Sequence, residues 1–194
     1  MKVLLIDHHD SFIDMIADYL RKLGAEIVLL KTNQLNLNTI SHILPDRIII
    51  GPGPGHPLDP ALDPVRKIIV QAIKHNIPVL GICLGHQIIA EYFGASVIQT
   101  ENIAHGMCSK LLHDGTVLFN GLPKEFIVTR YHSLIVDTQD FNHAQLKITA
   151  TTDIGEIMAL QHLSFPVFGV QFHPESVMTE HGLEMLKNFL TKAI

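Results

Sequence analysis

Tryptophan is absent from the 194 residues of the chain, aromatic residues make up only 6%, and there are just two cysteines. Two cysteines cannot build the multi-bridge framework that holds small secreted domains together. Charged residues are also sparse, at 17%, which excludes the composition of a disordered chain or a coiled coil. Lysine and arginine form no cluster and the formal net charge is −5, so the electrostatic footprint of a nucleic-acid binder is missing. No apolar run approaches the ~20 residues needed to cross a bilayer. The apolar stretch at the start, Val3-Leu4-Leu5-Ile6, is too short for the core of a signal peptide. Neither an internal repeat nor a low-complexity linker interrupts the chain. What is present is apolar: 47% of residues are hydrophobic, enough for a large core. These features predict one soluble, cytoplasmic domain spanning 1–194, with neither nucleic acid nor membrane as partner.

The first half alternates strand and helix patterns. Val3–Ile6 reads as a buried parallel strand, Ser11–Leu23 as a helix stopped by Gly24, and Glu26–Leu30 as a second strand. A short helical piece near Asn38–Leu44 precedes a third strand, Arg47–Ile50. The segment Gly51-Pro52-Gly53-Pro54-Gly55 can be neither helix nor strand and forms a stiff loop. A helix over Pro64–His75, a strand over Val79–Ile82 and a helix over Leu84–Phe93 complete the alternation. That order predicts an α/β fold with a doubly wound, mostly parallel sheet flanked by helices. From about Ser96 short β-rich runs follow, at Lys110–Leu112, Val117–Phe119, Phe126–Arg130, Leu134–Asp137, Leu146–Ala150, Ile157–Gln161 and Val167–Gln171. They predict additional antiparallel strands in the C-terminal half, closed by an amphipathic helix over Leu183–Leu190.

Cys83 lies in Gly81-Ile82-Cys83-Leu84-Gly85-His86-Gln87, between the strand and the helix. Small-x-Cys-x-Gly between a strand and a helix describes a tight turn that pushes one side chain out of the top of a sheet. The helix aims its N-terminal N–H groups at the sulfur, which favours thiolate. A cysteine nucleophile also needs a group that accepts and returns a proton. His173, in Gln171-Phe172-His173-Pro174-Glu175, can serve, and Glu175 can orient it. Pro174 biases His173 toward extended backbone, where residues two apart face the same way. Backbone N–H groups near Gly55 and Leu84 can form an oxyanion hole. Because ligands of open α/β sheets bind outside the carboxyl ends of strands, the Gly/Pro loop and Cys83 are expected to face one crevice.

Each element alone has a plainer reading. Cys83 could be a buried structural thiol, His173 a satisfied core histidine, and Gly51–Gly55 a stiff turn; their conjunction favours the chemical reading. Cys83-x-x-His86 resembles half a zinc site and the chain holds 13 histidines, but no second pair has ligand spacing and no metal is expected. His8, His9, His75 and His113 read as scattered, and Cys108 as structural.

Together these motifs resemble the class I (triad) glutamine amidotransferases over essentially the whole chain. The points of resemblance are Asp10-Ser11-Phe12, the Gly51–Gly55 loop, the Cys83 segment, His105-Gly106, Arg130-Tyr131-His132-Ser133-Leu134, Gly169-Val170-Gln171-Phe172-His173-Pro174-Glu175-Ser176 and Thr179-Glu180-His181-Gly182. The chain is most similar to the glutaminase component (component II) of the chorismate-linked synthases; the leading reading is the one that makes anthranilate, for tryptophan, and the alternative is aminodeoxychorismate, for folate, or service to both. The resemblance implies that Cys83 attacks the side-chain amide of L-glutamine, that His173 moves the protons and that Glu175 orients it. It implies that Gly53, Pro54 and Gly55 hold substrate, that the Gly55 and Leu84 amides make the oxyanion hole, and that Gln87 flanks the substrate. Ser133 and Leu134 match the segment whose backbone grips the glutamine α-amino and α-carboxylate groups. Ammonia would then pass through a protected channel to a larger, chorismate-binding synthase subunit (component I). No cofactor is expected in this chain, Mg2+ belonging only to the partner synthase subunit.

The chain departs from the family's usual pattern at three places. His8-His9 stands where Asn and an aromatic residue are usual, Met107 where Lys follows His-Gly, and Ala95 where a second Gly is common. None touches the triad. A guanylate-type amidotransferase is a rival that the Gly-Pro-Gly-Pro-Gly loop and Tyr131-His132-Ser133-Leu134 argue against. A non-catalytic regulatory subunit is the rival from another class; such a chain would typically have lost the Cys or the His.

Overall fold

Val3, Leu4, Leu5 and Ile6 are all fully buried, so the strand they form must be covered on both faces. In the computed structural model, which describes residues 1–193, this is β1 (Lys2–Asp7). Residue 194, the last of the span expected to form the domain, lies outside the described residues. The alternation continues through α1 (Ile13–Lys22), β2 (Glu26–Lys31), the short α2 (Thr39–Ile43), β3 (Arg47–Ile50), α3 (Asp63–Lys74), β4 (Val79–Ile82) and α4 (Leu84–Tyr92). The second half contributes β5 (Val97–His113), β6 (Glu125–Val136), β7 (Leu146–Thr152), β8 (Ile157–His162), β9 (Val167–Val170) and α5 (Gly182–Lys192).

The nine strands form one sheet in the order β2-β1-β3-β4-β9-β8-β7-β5-β6. From β2 to β9 neighbours are parallel, and from β9 to β6 they are antiparallel. The last strand in sequence therefore sits in the middle of the sheet, between β4 and β8. Strand alternation sorts the core into two layers. Val3, Leu5, Ile49, Leu80 and Ile82 pack with Ile16 and Leu20 of α1 and with Phe189 of α5. Leu4, Ile6, Ile48, Ile50 and Val79 pack on the other face, with Ile68 and Ile69 of α3 and Ile88 and Ile89 of α4. Burying each such side chain contributes on the order of 1.5–3 kcal/mol. Helices on both faces of the parallel half are the doubly wound arrangement expected, while half of the strand pairings in the whole sheet are antiparallel.

The second half differs from expectation in detail. Val117–Phe119, expected as a strand, is a 3₁₀ turn, with Leu118 and Phe119 buried and Phe119 N–H donating to the Thr116 carbonyl. The runs Phe126–Arg130 and Leu134–Asp137 belong to the single strand β6. β5 is far longer than the run Lys110–Leu112, and its pairing with β6 shifts register between Gln99 and Ala104 and again between His105 and Met107. Cys108, expected to be a structural thiol, is exposed. It shares the solvent-facing side of β5 with Lys110, which is exposed as well.

Candidate active site

The parallel strands end together, and the residues that follow β1, β3, β4 and β9 meet at one edge of the sheet. Cys83 follows β4 directly. Its backbone has φ 53° and ψ −102°, an unusual conformation for a residue with a side chain. The surroundings hold it there: its N–H donates to the Val170 carbonyl of β9 at 2.9 Å, and its carbonyl accepts the Gln87 N–H at 3.2 Å. The flanking glycines are dictated by space. A Cβ on Gly81 would lie 2.3 Å from the Gly85 carbonyl oxygen, and one on Gly85 would lie 2.2 Å from the Ile50 carbonyl oxygen. α4 therefore begins tight against β3 and β4, with the sulfur at its N-terminus.

After β9 the chain enters a turn in which the Ser176 N–H donates to the His173 carbonyl at 3.2 Å. Pro174 and Glu175 occupy the two central positions, where proline's fixed φ suits the first. The proximity of Glu175 to His173 thus arises from a turn, not from the extended alternation expected from sequence. His173 Nδ1 and Glu175 Oε1 are 2.6 Å apart, both side chains being buried. The segment is pinned along β6: His173 N–H donates to the Thr129 carbonyl at 3.0 Å, and the Thr179 hydroxyl donates to the His173 carbonyl at 2.7 Å.

The His173 ring also packs against two aromatic rings that touch each other, their centroids 5.0 Å apart. Phe12 lies 5.1 Å away, tilted, and Tyr131 lies 5.2 Å away, edge to face. Its Nε2, the nitrogen not taken by Glu175, is buried without a hydrogen-bond partner of ordinary geometry, and Cys83 is near enough to act on its proton. Burial alone would lower the pKa of this ring. Hydrogen bonding to Cys83 and Glu175, and the negative charge of both, reverse that and raise it to about 10. The ring is accordingly favoured as an imidazolium, placed between the Cys83 sulfur and the Glu175 carboxylate.

Beside Cys83 opens a cavity of about 190 Å³ lined by Gly53, Pro54, Gly55, Leu84, Gln87, Ser133 and Leu134. All seven residues expected to bind substrate therefore line one space. It is smaller than the ~300–1,000 Å³ typical of drug-sized ligands and is scaled to something like an amino acid. Tyr131 and His132 line it too, without having been assigned a role from sequence. Gln87 is more constrained than expected: its amide Nε2 donates to the Leu134 carbonyl at 3.1 Å and to Gln171 Oε1 at 3.0 Å. Gln171 is fully buried, and its Nε2 lies 3.7 Å from Cys83 Sγ. Phe12, Tyr131 and Gln171 all stand in segments singled out from the sequence. Nothing in their spacing revealed that they would surround the cysteine and histidine.

His8 is not a scattered histidine. It is buried at the end of β1, with its Nδ1 2.6 Å from the Thr32 hydroxyl. Burial, partly opposed by Asp7, lowers its pKa to about 4. Its Cβ would lie 2.3 Å from a Cβ on Gly53, so it supports the Gly/Pro loop from beneath. His9 and Met107 face solvent. His86, whose spacing from Cys83 resembles half a zinc site, packs against Gly169 of β9, and burial lowers its pKa to about 3. Among the described residues no group of three or more His, Cys, Asp or Glu is placed to hold a metal ion, and no helix is long and apolar enough to cross a membrane.

Compared with known proteins, residues 4–193 match the family Glutamine amidotransferase class-I. The chain belongs to that family. A relative from Bacillus subtilis, named aminodeoxychorismate/anthranilate synthase component 2, is 43% identical over 97% of this chain and 95% of its own. One from Pyropia yezoensis, named anthranilate synthase component 2, is 40% identical over 97% of this chain and 98% of its own. Among solved structures, a putative GMP synthase subunit from Thermoplasma acidophilum superposes with a TM-score of 0.85 at 24% identity, covering 100% of this chain and 94% of that one. At that identity the likeness concerns the fold alone. This amidotransferase thus shares its sheet with a guanylate-type protein and its sequence with chorismate-linked ones.

Proposed function

We propose that this glutamine amidotransferase is the glutaminase component of a two-part synthase that uses chorismate, with anthranilate as the product. Aminodeoxychorismate is the second reading, favoured by the Bacillus subtilis relative, whose name carries both products. The observation that carries the chemistry is the junction of Cys83, His173 and Glu175 at the mouth of an amino-acid-sized cavity.

The geometry supports this course of reaction. Cys83 Sγ attacks the side-chain amide carbon of L-glutamine, and the carbonyl electrons move onto oxygen, toward the N–H groups of Gly55 and Leu84. The imidazolium of His173 gives its proton to the departing nitrogen, releasing ammonia and leaving a glutamyl thioester. With the proton gone and the sulfur acylated, the negative sulfur that raised the pKa of His173 is also gone. The neutral ring then accepts a proton from water, whose oxygen attacks the thioester and frees glutamate and the thiol. Glu175 holds Nδ1 throughout, so that Nε2 faces the reaction. The chain itself takes no cofactor; Mg2+ serves the synthase subunit. Ammonia is passed to that larger component I because ammonium in bulk water is not nucleophilic.

The test is glutamine hydrolysis by the purified chain, alone and with an anthranilate synthase subunit or an aminodeoxychorismate synthase subunit in turn. Stimulation by one subunit, with the matching product formed from chorismate and glutamine, is the expected result and names the pathway. A folded chain that hydrolyses no glutamine with either competent subunit would overturn the reading in favour of a regulatory subunit.

A further inference from the structure

Behind the strand that bears Ser133 and Leu134 lies a line of buried polar groups that the proposed chemistry does not use. Arg130 Nη1 pairs with Glu156 Oε2 at 2.7 Å, the two side chains being 5% and 12% exposed. Arg130 Nε donates to His132 Nε2 at 3.0 Å. A guanidinium can only donate, so His132 Nε2 must accept and the ring proton must sit on Nδ1. That Nδ1–H donates to the Leu134 carbonyl at 2.9 Å, the same oxygen that accepts from Gln87. Burial and the neighbouring Arg130 lower the pKa of His132 to about 4, so a single neutral tautomer persists across the ordinary working range.

The sheet ladder does not hold this stretch by itself. Leu134 pairs with Gln99 and His132 with Ala104, so the register shifts between these two pairs and Ser133 lies opposite the irregularity. At such a point a strand's course is weakly specified, yet here it forms one wall of the cavity. Two side-chain donors, His132 and Gln87, hold the Leu134 carbonyl beside that irregularity.

We infer that His132, its tautomer set by the Arg130–Glu156 pair, is a positioning residue that fixes the Ser133–Leu134 backbone against the α-amino and α-carboxylate groups of glutamine. The inference rests on the glutaminase reading above. It separates binding from chemistry: losing the clamp should loosen the grip on the amino-acid end and leave the thiol as it was.

The experiment measures glutamine kinetics of the full chain in complex with its synthase subunit, for the wild type, His132→Ala and His132→Asn. Asparagine keeps a donor close to the Nδ1 position. With His132→Ala, KM for glutamine should rise about tenfold while kcat changes about threefold or less. His132→Asn should recover most of the loss. Alkylation of Cys83 by iodoacetamide, a reagent without α-amino or α-carboxylate groups, should proceed at the same rate in all three. An unchanged KM in a folded His132→Ala chain would overturn the inference. So would a His132→Asn chain with wild-type melting and the KM of the alanine variant, or a slowed alkylation with KM intact. A wild type that turns over no glutamine would instead bring down the glutaminase reading, and the positioning role with it.

Discussion

Cys83 and His173 impose on each other. The strained backbone at Cys83, with its φ of 53°, is of a kind that costs on the order of 1–3 kcal/mol and persists only because the surrounding structure fixes it. What the strain gives is a sulfur at the start of a helix and beside a buried imidazole. Cys83→Ala should abolish product formation from glutamine and leave formation from added ammonia intact in the complex, read by assaying both nitrogen sources. Loss of both in a folded complex would contradict the division of labour. The imidazole carries a second prediction. Its folded-state pKa, about 10, lies above the ordinary value of 6.5. Its protonation therefore stabilises the fold fully below about pH 6.5, and this contribution is lost as pH rises through about 10. Cys83→Ala removes one of the two groups that raise it, so the contribution should be smaller and be exhausted at a lower pH. Melting temperature against pH for both proteins checks this; coincident curves would mean that the thiol has no hold on the histidine. The triad was legible because its residue types carry the chemistry. The route by which Glu175 reaches His173 was not, since a proline can open a turn as readily as it extends a strand.

The β4–α4 junction is where residue choice becomes an element's position. Gly85 lets α4 start in contact with β3, and a methyl group there would sit 2.2 Å from the Ile50 carbonyl oxygen, a backbone atom that cannot swing aside. Gly85→Ala should destabilise the chain by about 1–3 kcal/mol or more, measured by urea unfolding, and should displace the N-terminus of α4 from the cavity. A wild-type unfolding midpoint would show that the junction is softer than its spacing implies. The parallel half was legible because β1, β3 and β4 are buried on both faces and α1 and α3 are amphipathic. The second half was less so, for identifiable reasons. Val117–Phe119 has a strand's composition, but Leu118 and Phe119 are buried from a 3₁₀ turn instead. β6 looked like two strands because Tyr131, His132 and Ser133 interrupt its apolar pattern to line the cavity. The interruption that hid the strand marked the site.

On the scale of the whole molecule, β9 is the keystone of the sheet: it joins β4 on one side and β8 on the other. A chain stopped after β8 would leave both as open edges and would lack the segment carrying His173. Such a chain should fail to fold, giving no cooperative melting transition and aggregating on purification. A soluble, cooperatively melting product would show that the two halves of the sheet are independent. The cavity and the triad also draw on both halves, with Gly53 and Cys83 from the first and Ser133 and His173 from the second.

The placement of β9 has a consequence for the order of events as the chain is made. Chains emerge from the ribosome N-terminus first, and domains fold as units. The first four strands can be complete while the slot beside β4 stands empty, and the intervening strands have nowhere final to dock. Only when Val167–Val170 emerges can the sheet close, and the next residues out, Gln171 to Glu175, bring the base to the nucleophile. The thiol thus acquires its proton partner in the same event that completes the sheet. A half-made chain lacks the histidine that the cysteine's chemistry needs, so the thiol is without its proton partner until the sheet is closed.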